Sequence, residues 1–273
     1  MKSKVFGAIM MAGAMFSASA SAQETVSISG STSVTEVMEV LAETYHQQHQ
    51  DTYIEVQGTG SSAGIKAAKN GTSYFGMASR ELKASEKESS LKETVIARDG
   101  IAVVVNNANG VKNLTADQIA KIYRGEITNW SNVGGENKPI VLVTRDTASG
   151  TRGAFESIMG LKRKVNGMKV SAISQKAQVA NGNGVVKTIV ANNPLAIGYI
   201  SLGSVDDSLK ALSVDGHAPT TEAVAAGDYK VARPFLVLHK EGTTSAAADD
   251  FLNWVLSADG QKIVANQGYI AVK

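Results

Sequence analysis

The stretch TVSISGSTSVTEVMEVLAETY, residues 25–45, carries the pattern on which the fold turns. Val26 to Ser29 reads as a short strand and Gly30-Ser31-Thr32-Ser33 as a turn. Val34, Val37, Met38, Leu41 and Tyr45 then recur at the spacing of an amphipathic helix with one apolar face. Ser33 with Glu36 three residues on has capping-box spacing, which predicts Ser33 as the residue that caps this helix. A strand, a small polar loop and a helix in that order form the repeating step of an α/β architecture with parallel strands.

The step recurs along the chain. Tyr53 to Gln57 reads as a strand that leads through Gly58-Thr59-Gly60-Ser61-Ser62-Ala63-Gly64 into a helix, and Phe75 to Ala78 as a third strand. The apolar run Ile101 to Val105 predicts a strand buried on both faces. Thr115 to Gln118 caps a helix, and Tyr123 to Gly135 forms a loop around Trp130. Ile140 to Thr144 is a strand followed by a helix from Gly150; Gly182-Asn183-Gly184 opens another helix before a strand at Leu195 to Ile200. Val231 to His239 is a strand near the end, followed by a helix presenting Phe251, Trp254 and Val255 and by a last helix through Ile263. Glu81 to Lys92 alternates in sign and reads as an exposed helix face. Neither repeat nor low-complexity linker interrupts this order, so two domains would share a cleft and be joined by crossing strands.

Lys2 and Lys4 precede an apolar stretch, Val5 to Phe16, and the small-residue run ends in Ala20-Ser21-Ala22. These are the parts of a secretory signal peptide over residues 1–22, with an apolar core too short to span a bilayer. The leader holds two of the chain's 27 basic residues and none of its 25 acidic ones, so the remainder is electrically balanced. No global field draws it to nucleic acid or to a membrane, and any affinity for anions must be local. The chain contains no cysteine. That excludes disulfides, thiolate metal sites and thiol catalysis, and it removes the cysteine through which exported proteins of single-membrane bacteria are lipidated. A free protein in a Gram-negative periplasm is the expectation.

Three loops share one design: Gly30-Ser31-Thr32-Ser33, Gly60-Ser61-Ser62-Ala63-Gly64 and Ala148-Ser149-Gly150-Thr151-Arg152. Each follows a strand and opens a helix, where free backbone N–H groups and the positive end of the helix dipole attract an anion. Serine and threonine hydroxyls add donors, and glycine admits close approach. Arg80, Arg145 and Arg152 stand beside these loops, and the guanidinium fork suits two oxygens of a phosphate. Any one such loop is an ordinary turn; their recurrence at the strand ends where α/β proteins bind ligands predicts an anion site. On this reading Ser31, Thr32, Ser33, Ser61, Ser62, Arg80, Arg145, Ser149, Gly150 and Thr151 hold a tetrahedral oxyanion.

Other readings are weaker. Gly60 to Gly64 matches G-x-S-x-G, which in a serine hydrolase would make Ser62 a nucleophile with His217 or His239 as base, yet no oxyanion-hole segment accompanies it. His46 and His49 have i, i+3 spacing but lie among glutamines, as at a solvated helix end. Trp130 and Trp254 read as packing residues. Lys162, Arg163 and Lys164 form a small basic cluster that reads as a solvated loop, with a partner role as the alternative.

The segments Gly30–Ser33, Gly60–Gly64, Ala78-Ser79-Arg80, Arg124-Gly-Glu-Ile-Thr-Asn-Trp130, Arg145–Arg152, Asn193–Tyr199, Gly260-Gln261 and Gly268-Tyr269 together resemble the phosphate-binding protein family of ABC importers, over essentially the whole length after the leader. The resemblance implies a type II periplasmic binding protein fold, with two α/β lobes closing on a dehydrated anion. It divides the chain into residues 23–106 plus 233–273 and residues 107–232, crossing at Val105 or Asn106 and returning through Arg233 to His239. It implies Thr32, Ser33, Ser61, Arg145, Ser149, Gly150 and Thr151 as ligand-binding residues, no catalysis, no cofactor and no metal. The partners it implies are inorganic phosphate and an inner-membrane permease, with the protein itself a monomer. One position departs from the family: where several members place an aspartate that accepts the proton of hydrogen phosphate, this chain has Arg80. Sulfate or molybdate thereby becomes an alternative ligand, and Asp99 and Asp146 are the nearest substitute acceptors.

Overall fold

The protein is described by a computed structural model over residues 23–272; the leader expected at residues 1–22 lies outside the described residues. The chain opens with β1 (Glu24–Gly30), α1 (Thr32–Gln48), β2 (Thr52–Gly58), α2 (Ser61–Asn70) and β3 (Phe75–Ala78), then enters the long β4 (Leu91–Val105). A short β5 (Asn113–Leu114) precedes α3 (Ala116–Arg124), β6 (Val141–Arg145) and α4 (Gly150–Ile158). Next come the hairpin strands β7 (Lys162–Val165) and β8 (Met168–Ser171), then β9 (Gln178–Ala180), α5 (Asn183–Ala191) and β10 (Ala196–Ser201). The short β11 (Lys210–Ala211), β12 (Ser213–Val214) and α6 (Thr221–Ala226) lead to β13 (Ala232–Lys240), α7 (Ala246–Val255) and α8 (Ala258–Asn266).

The main sheet has the order β2-β1-β3-β13-β4-β10-β6-β9, with β11 paired to β4. Its two ends are parallel: β1 with β2 and β3, and β6 with β10 and β9. Its middle is antiparallel, where β13 pairs with β3 and β4, and β10 with β4. β4 changes partners midway. Leu91 to Gly100 run against β13, while Ile101 to Val105 run against β10.

Alternation along the strands sorts apolar side chains into separate cores. In the first half, Val26, Ile28, Phe75, Met77, Phe235 and Val237 pack beneath α1, α7 and α8, while Ala78, Leu236 and Leu238 turn to α2. Beyond Gly100, Ile101, Val103 and Val105 join Leu142, Ile197 and Phe155 on one face, and Ala102 and Val104 meet Val186 and Val190 of α5 on the other. Each such side chain contributes about 1.5–3 kcal/mol by leaving water, so each half of the sheet carries its own hydrophobic support. Trp130 is buried in the second core with its indole N–H donating to the Leu195 carbonyl, and Trp254 packs edge-on to Tyr45.

The segment Glu81 to Lys92 departs from the helix expected there. Only one 3₁₀ turn forms, Ala84–Glu86, and the chain enters β4 at Leu91. The Glu86 carboxylate accepts from the Lys83 N–H and from Arg80, and pairing of Leu91 and Lys92 with β13 claims the rest. Tertiary partners thus override a weak helical preference.

Candidate functional site

Gly30 places the first loop. Its φ is +144°, and a Cβ there would lie 2.2 Å from the Met77 carbonyl oxygen, so only glycine lets β1 leave the sheet so close to β3. Ser31 then caps α1, its hydroxyl accepting from the N–H groups of Ser33 and Val34. The capping expected of Ser33 is therefore performed two residues earlier, which frees the Ser33 hydroxyl. Glu36, expected to complete the capping box, instead accepts from Asn183 and Ser204.

The helix starts converge across the two halves of the molecule. Ser33 Oγ lies 3.0 Å from Thr151 Oγ1, at the start of α4, and the Ser62 N–H at the start of α2 donates to the Ala148 carbonyl. A Cβ on Gly150 would lie 2.1 Å from Ser61 Oγ and 2.5 Å from Ser79 Oγ, so the second half meets the first there without a side chain between them. Ser31 donates to Ser79 Oγ at 2.8 Å, and Ser61 Oγ accepts from the Ser79 N–H. Ser31, Ser33, Ser61, Ser79, Ser149 and Thr151 are all buried. The Ser149 hydroxyl caps α4 by accepting from the Arg152 N–H.

Arg145, at the end of β6, is 1% exposed. Its Nη1 donates to Asn183 Oδ1 and its Nη2 to Thr32 Oγ1, each at 2.8 Å. Its Nε is buried without a partner among the described residues, and no carboxylate pairs with the guanidinium. Burial, then the neighbouring charge of Arg233, pushes its pKa down from the ordinary value. A buried cation lacking a counter-charge is expensive, and this one stands beside three helix N-termini and a group of hydroxyls. The arrangement answers to a small, dehydrated anion.

The supports of Arg145 are explicit. Arg152 Nη1 donates to the Arg145 carbonyl while its Nε pairs with Glu156 at 2.8 Å. The Tyr199 hydroxyl lies 2.7 Å from Thr144 Oγ1 and accepts from the Arg145 N–H, and its ring stacks on Phe155. Burial first raises the Tyr199 pKa, to about 12, so this phenol stays protonated at neutral pH.

Ser31, Thr32, Ser33, Ser61, Arg145, Ser149, Gly150 and Thr151 thus come together. Ser62 and Arg80, read with them from the sequence, are placed to one side. Arg80 forms a two-pronged pair with Glu86 at 2.7 and 2.8 Å, and its Nη2 reaches Ser62 Oγ at 3.4 Å. Glu86 claims the guanidinium and draws it into a groove beside α4. Asp146 accepts from the N–H groups of Ala148 and Ser149, shaping the loop before α4. Asp99 is buried against Arg233, with Oδ2 accepting from Nε, Nη2 and Ser201 Oγ. Both acids are thereby engaged with protein groups through one oxygen, while Asp99 Oδ1 is buried without a partner among the described residues.

Two participants were not singled out from sequence. Ser79 was visible only as part of Ala78-Ser79-Arg80. Asn183, whose Nδ2 lies within hydrogen-bond distance of Ser33, Glu36 and Ser204, was visible only as a polar residue in a helix-opening Gly-Asn-Gly.

The PBP superfamily domain matches residues 17–259. The phosphate-binding protein PstS of Borreliella burgdorferi is 30% identical over 255 residues, covering 92% of this chain and 91% of that protein. This chain belongs to the phosphate-binding protein family. PstS of Bacillus subtilis is 34% identical over 92% of the chain and 82% of its own length. A crystal structure from Clostridium perfringens, described as a phosphate ABC transporter substrate-binding protein with bound phosphate, superimposes with a TM-score of 0.87 at 47% identity, covering 92% of this chain and all of that one. An ABC-type phosphate transport receptor from Vibrio cholerae gives a TM-score of 0.77 at 45% identity, covering 90% and 99%. The family's type II periplasmic binding protein fold is the α/β architecture described above.

Proposed function

We propose that this protein is an exported, periplasmic solute-binding protein of a Gram-negative bacterium, which captures inorganic phosphate and delivers it to an inner-membrane ABC permease. Its halves act as the two lobes, residues 23–106 with 233–273 and residues 107–232, joined by the crossing strands β4 and β13. Phosphate enters the open cleft and exchanges its water for the hydroxyls of Thr32, Ser33, Ser61, Ser149 and Thr151 and for the helix-start N–H groups, while Arg145 supplies charge. Closure follows because the anion binds the closed form better than the open one.

The observation that carries this reading is Arg145: a fully buried guanidinium without a carboxylate partner, its Nε unpaired, held between the first residues of α1 and α5. The protein acts by binding, as a monomer, with neither cofactor nor metal. Ser62, the residue a hydrolase would need as nucleophile, accepts from Arg80, which has no basic lone pair to activate it.

Calorimetric titration of the mature, phosphate-stripped protein with phosphate, sulfate and molybdate tests the proposal. Phosphate binding that Arg145→Ala weakens by more than about 100-fold is expected, since hydrogen bonds to a charged group contribute about 1.5–3 kcal/mol each. Binding of sulfate or molybdate in place of phosphate would keep the fold and change the cargo. Failure to bind any oxyanion would overturn the reading.

A further inference from the structure

The groove that receives Arg80 has a volume of about 1130 Å³ and is walled by both halves of the molecule. One wall holds Arg80, Lys83 and Arg98; the other holds Arg152, Lys162 and Lys169. Glu81 and Glu156 are the acids in its lining, and Glu156 is already paired with Arg152. Arg98, Lys162 and Lys169 have no carboxylate within ion-pair distance among the described residues, and Lys83 stands 3.8 Å from a Glu86 already clamped by Arg80.

The hairpin of β7 and β8 sharpens this asymmetry. Its register sets Lys164 directly opposite Lys169 and Lys162 opposite Ser171, so one face of the ribbon carries Lys162, Lys164 and Lys169 together. Like charges directly opposed on a ladder destabilise it. From Ser157 to Val205 the sequence contains no acid at all, in a chain that beyond the leader is balanced as a whole. Burial lowers the Lys162 pKa and, against a pull from Glu156, the charges of Lys83, Arg80 and Lys169 lower it further, so both walls act on it. A local rule broken without internal compensation marks a place where an external group supplies the compensation.

We propose that this groove docks an acidic peptide segment of a partner protein and is complete only when the lobes are closed, an inference that rests on the closure reading given above. The cations line a concavity larger than most small-molecule pockets, which suits an extended chain with several carboxylates. A flat anionic membrane would instead call on a convex surface. The hairpin's other face, with Val165 and the 66% exposed Met168, is the part that could meet lipid. Because each wall belongs to a different half, the occupant distinguishes the closed, loaded protein from the open one.

The test is fluorescence anisotropy of a labelled hexaglutamate peptide with the mature protein, phosphate-loaded and phosphate-stripped, and with a Lys162→Glu/Lys169→Glu variant. The expected result is salt-sensitive binding to the loaded protein, at least tenfold weaker when stripped and at least tenfold weaker in the variant. The variant's calorimetric phosphate affinity should stay within threefold of the parent. Arg98→Glu, on the opposite wall, should reproduce the loss and serves if the hairpin variant misfolds. Peptide binding that is absent, indifferent to phosphate or indifferent to these substitutions overturns the proposal. So does preferential binding to phosphatidylglycerol vesicles abolished by Met168→Glu, which would make the hairpin a membrane contact. A parent that fails to bind phosphate overturns the functional reading, whereas one that takes phosphate but not peptide overturns the groove alone.

Discussion

Replacing Asn183 by alanine isolates the coupling between anion and closure. The side chain belongs to α5 in the second half, yet it lies 2.9 Å from Glu36 Oε1 and 3.2 Å from Ser33 Oγ of the first, while its Oδ1 accepts from Arg145 at 2.8 Å. The bond from Arg145 lies within the second half; of the two that cross, the one to the charged Glu36 is worth about 1.5–3 kcal/mol and the one to Ser33 about 0.5–1.5 kcal/mol. Glu36 is only half-buried, so water replaces part of what is lost there. A net loss of about 2 kcal/mol follows, and because the contacts to Glu36 and Ser33 exist only when the halves meet, it falls on the closed state. Phosphate Kd measured by calorimetry should rise roughly 30-fold. Asn183→Asp should weaken binding further than alanine does. Its carboxylate would neutralise Arg145, compete with the anion and stand against Glu36. A Kd within threefold of the parent for the alanine variant, or an aspartate variant tighter than the alanine one, would refute the coupling.

Gly150→Ala puts a methyl 2.1 Å from Ser61 Oγ and 2.5 Å from Ser79 Oγ, so it should cost the closed form about 1–3 kcal/mol. Phosphate titration should then show roughly 5- to 150-fold weaker binding, with the Tm of the unliganded protein little changed. Glu86 is opposed by burial but held below its ordinary pKa by Arg80 and the Lys83 N–H. Its contribution is therefore complete above the ordinary carboxylate range and lost as pH falls through the depressed value. Thermal melts should show the parent more stable than Glu86→Gln at pH 7, with the difference shrinking on acidification below about pH 4.

The architecture was legible because strands and helices here keep their own periods. Val34, Val37, Met38, Leu41 and Tyr45 are all buried on α1, and Ile101 to Val105 are buried on both faces of β4. The three loops were legible through recurrence: any one of them is an ordinary cap or turn, but the same glycine and hydroxyl pattern stands at three strand ends. What escaped was set by partners distant in the chain. Asn183 meets a residue 150 positions earlier, and nothing near it in sequence foretells Ser33. Ser31 and Ser33 are equally good caps by composition, and only the path imposed by Gly30 against Met77 gives the role to Ser31. Arg80 reads as an anion ligand because it follows a strand end, but Glu86, six residues on, claims it first.

That capture bears on selectivity. With its guanidinium clamped by Glu86, Arg80 adds no second cation to the hydroxyl group around Ser79. The position at which the family resemblance leads one to expect an acid contributes neither charge nor acceptor to that group. Asp146 Oδ1 accepts from the N–H groups of Ala148 and Ser149, and Asp99 Oδ2 from Arg233 and Ser201, which leaves Asp99 Oδ1 buried without a partner among the described residues. The acceptors grouped with Arg145 are hydroxyls, and a hydroxyl can turn to donate as readily as to accept. A carboxylate would repel the fully ionised oxygen of sulfate at contact distance; a serine simply rotates. Sulfate should therefore compete with phosphate in displacement calorimetry at a modest molar excess, and introducing an acid by Ser79→Asp should suppress sulfate more than phosphate. If a 1000-fold excess of sulfate leaves phosphate bound, a carboxylate does reach the anion; Asp99, with Oδ1 unpartnered, and Asp146, which borders the loop through Ala148 and Ser149, are the two to replace by asparagine in turn, and the one whose loss admits sulfate is the acceptor.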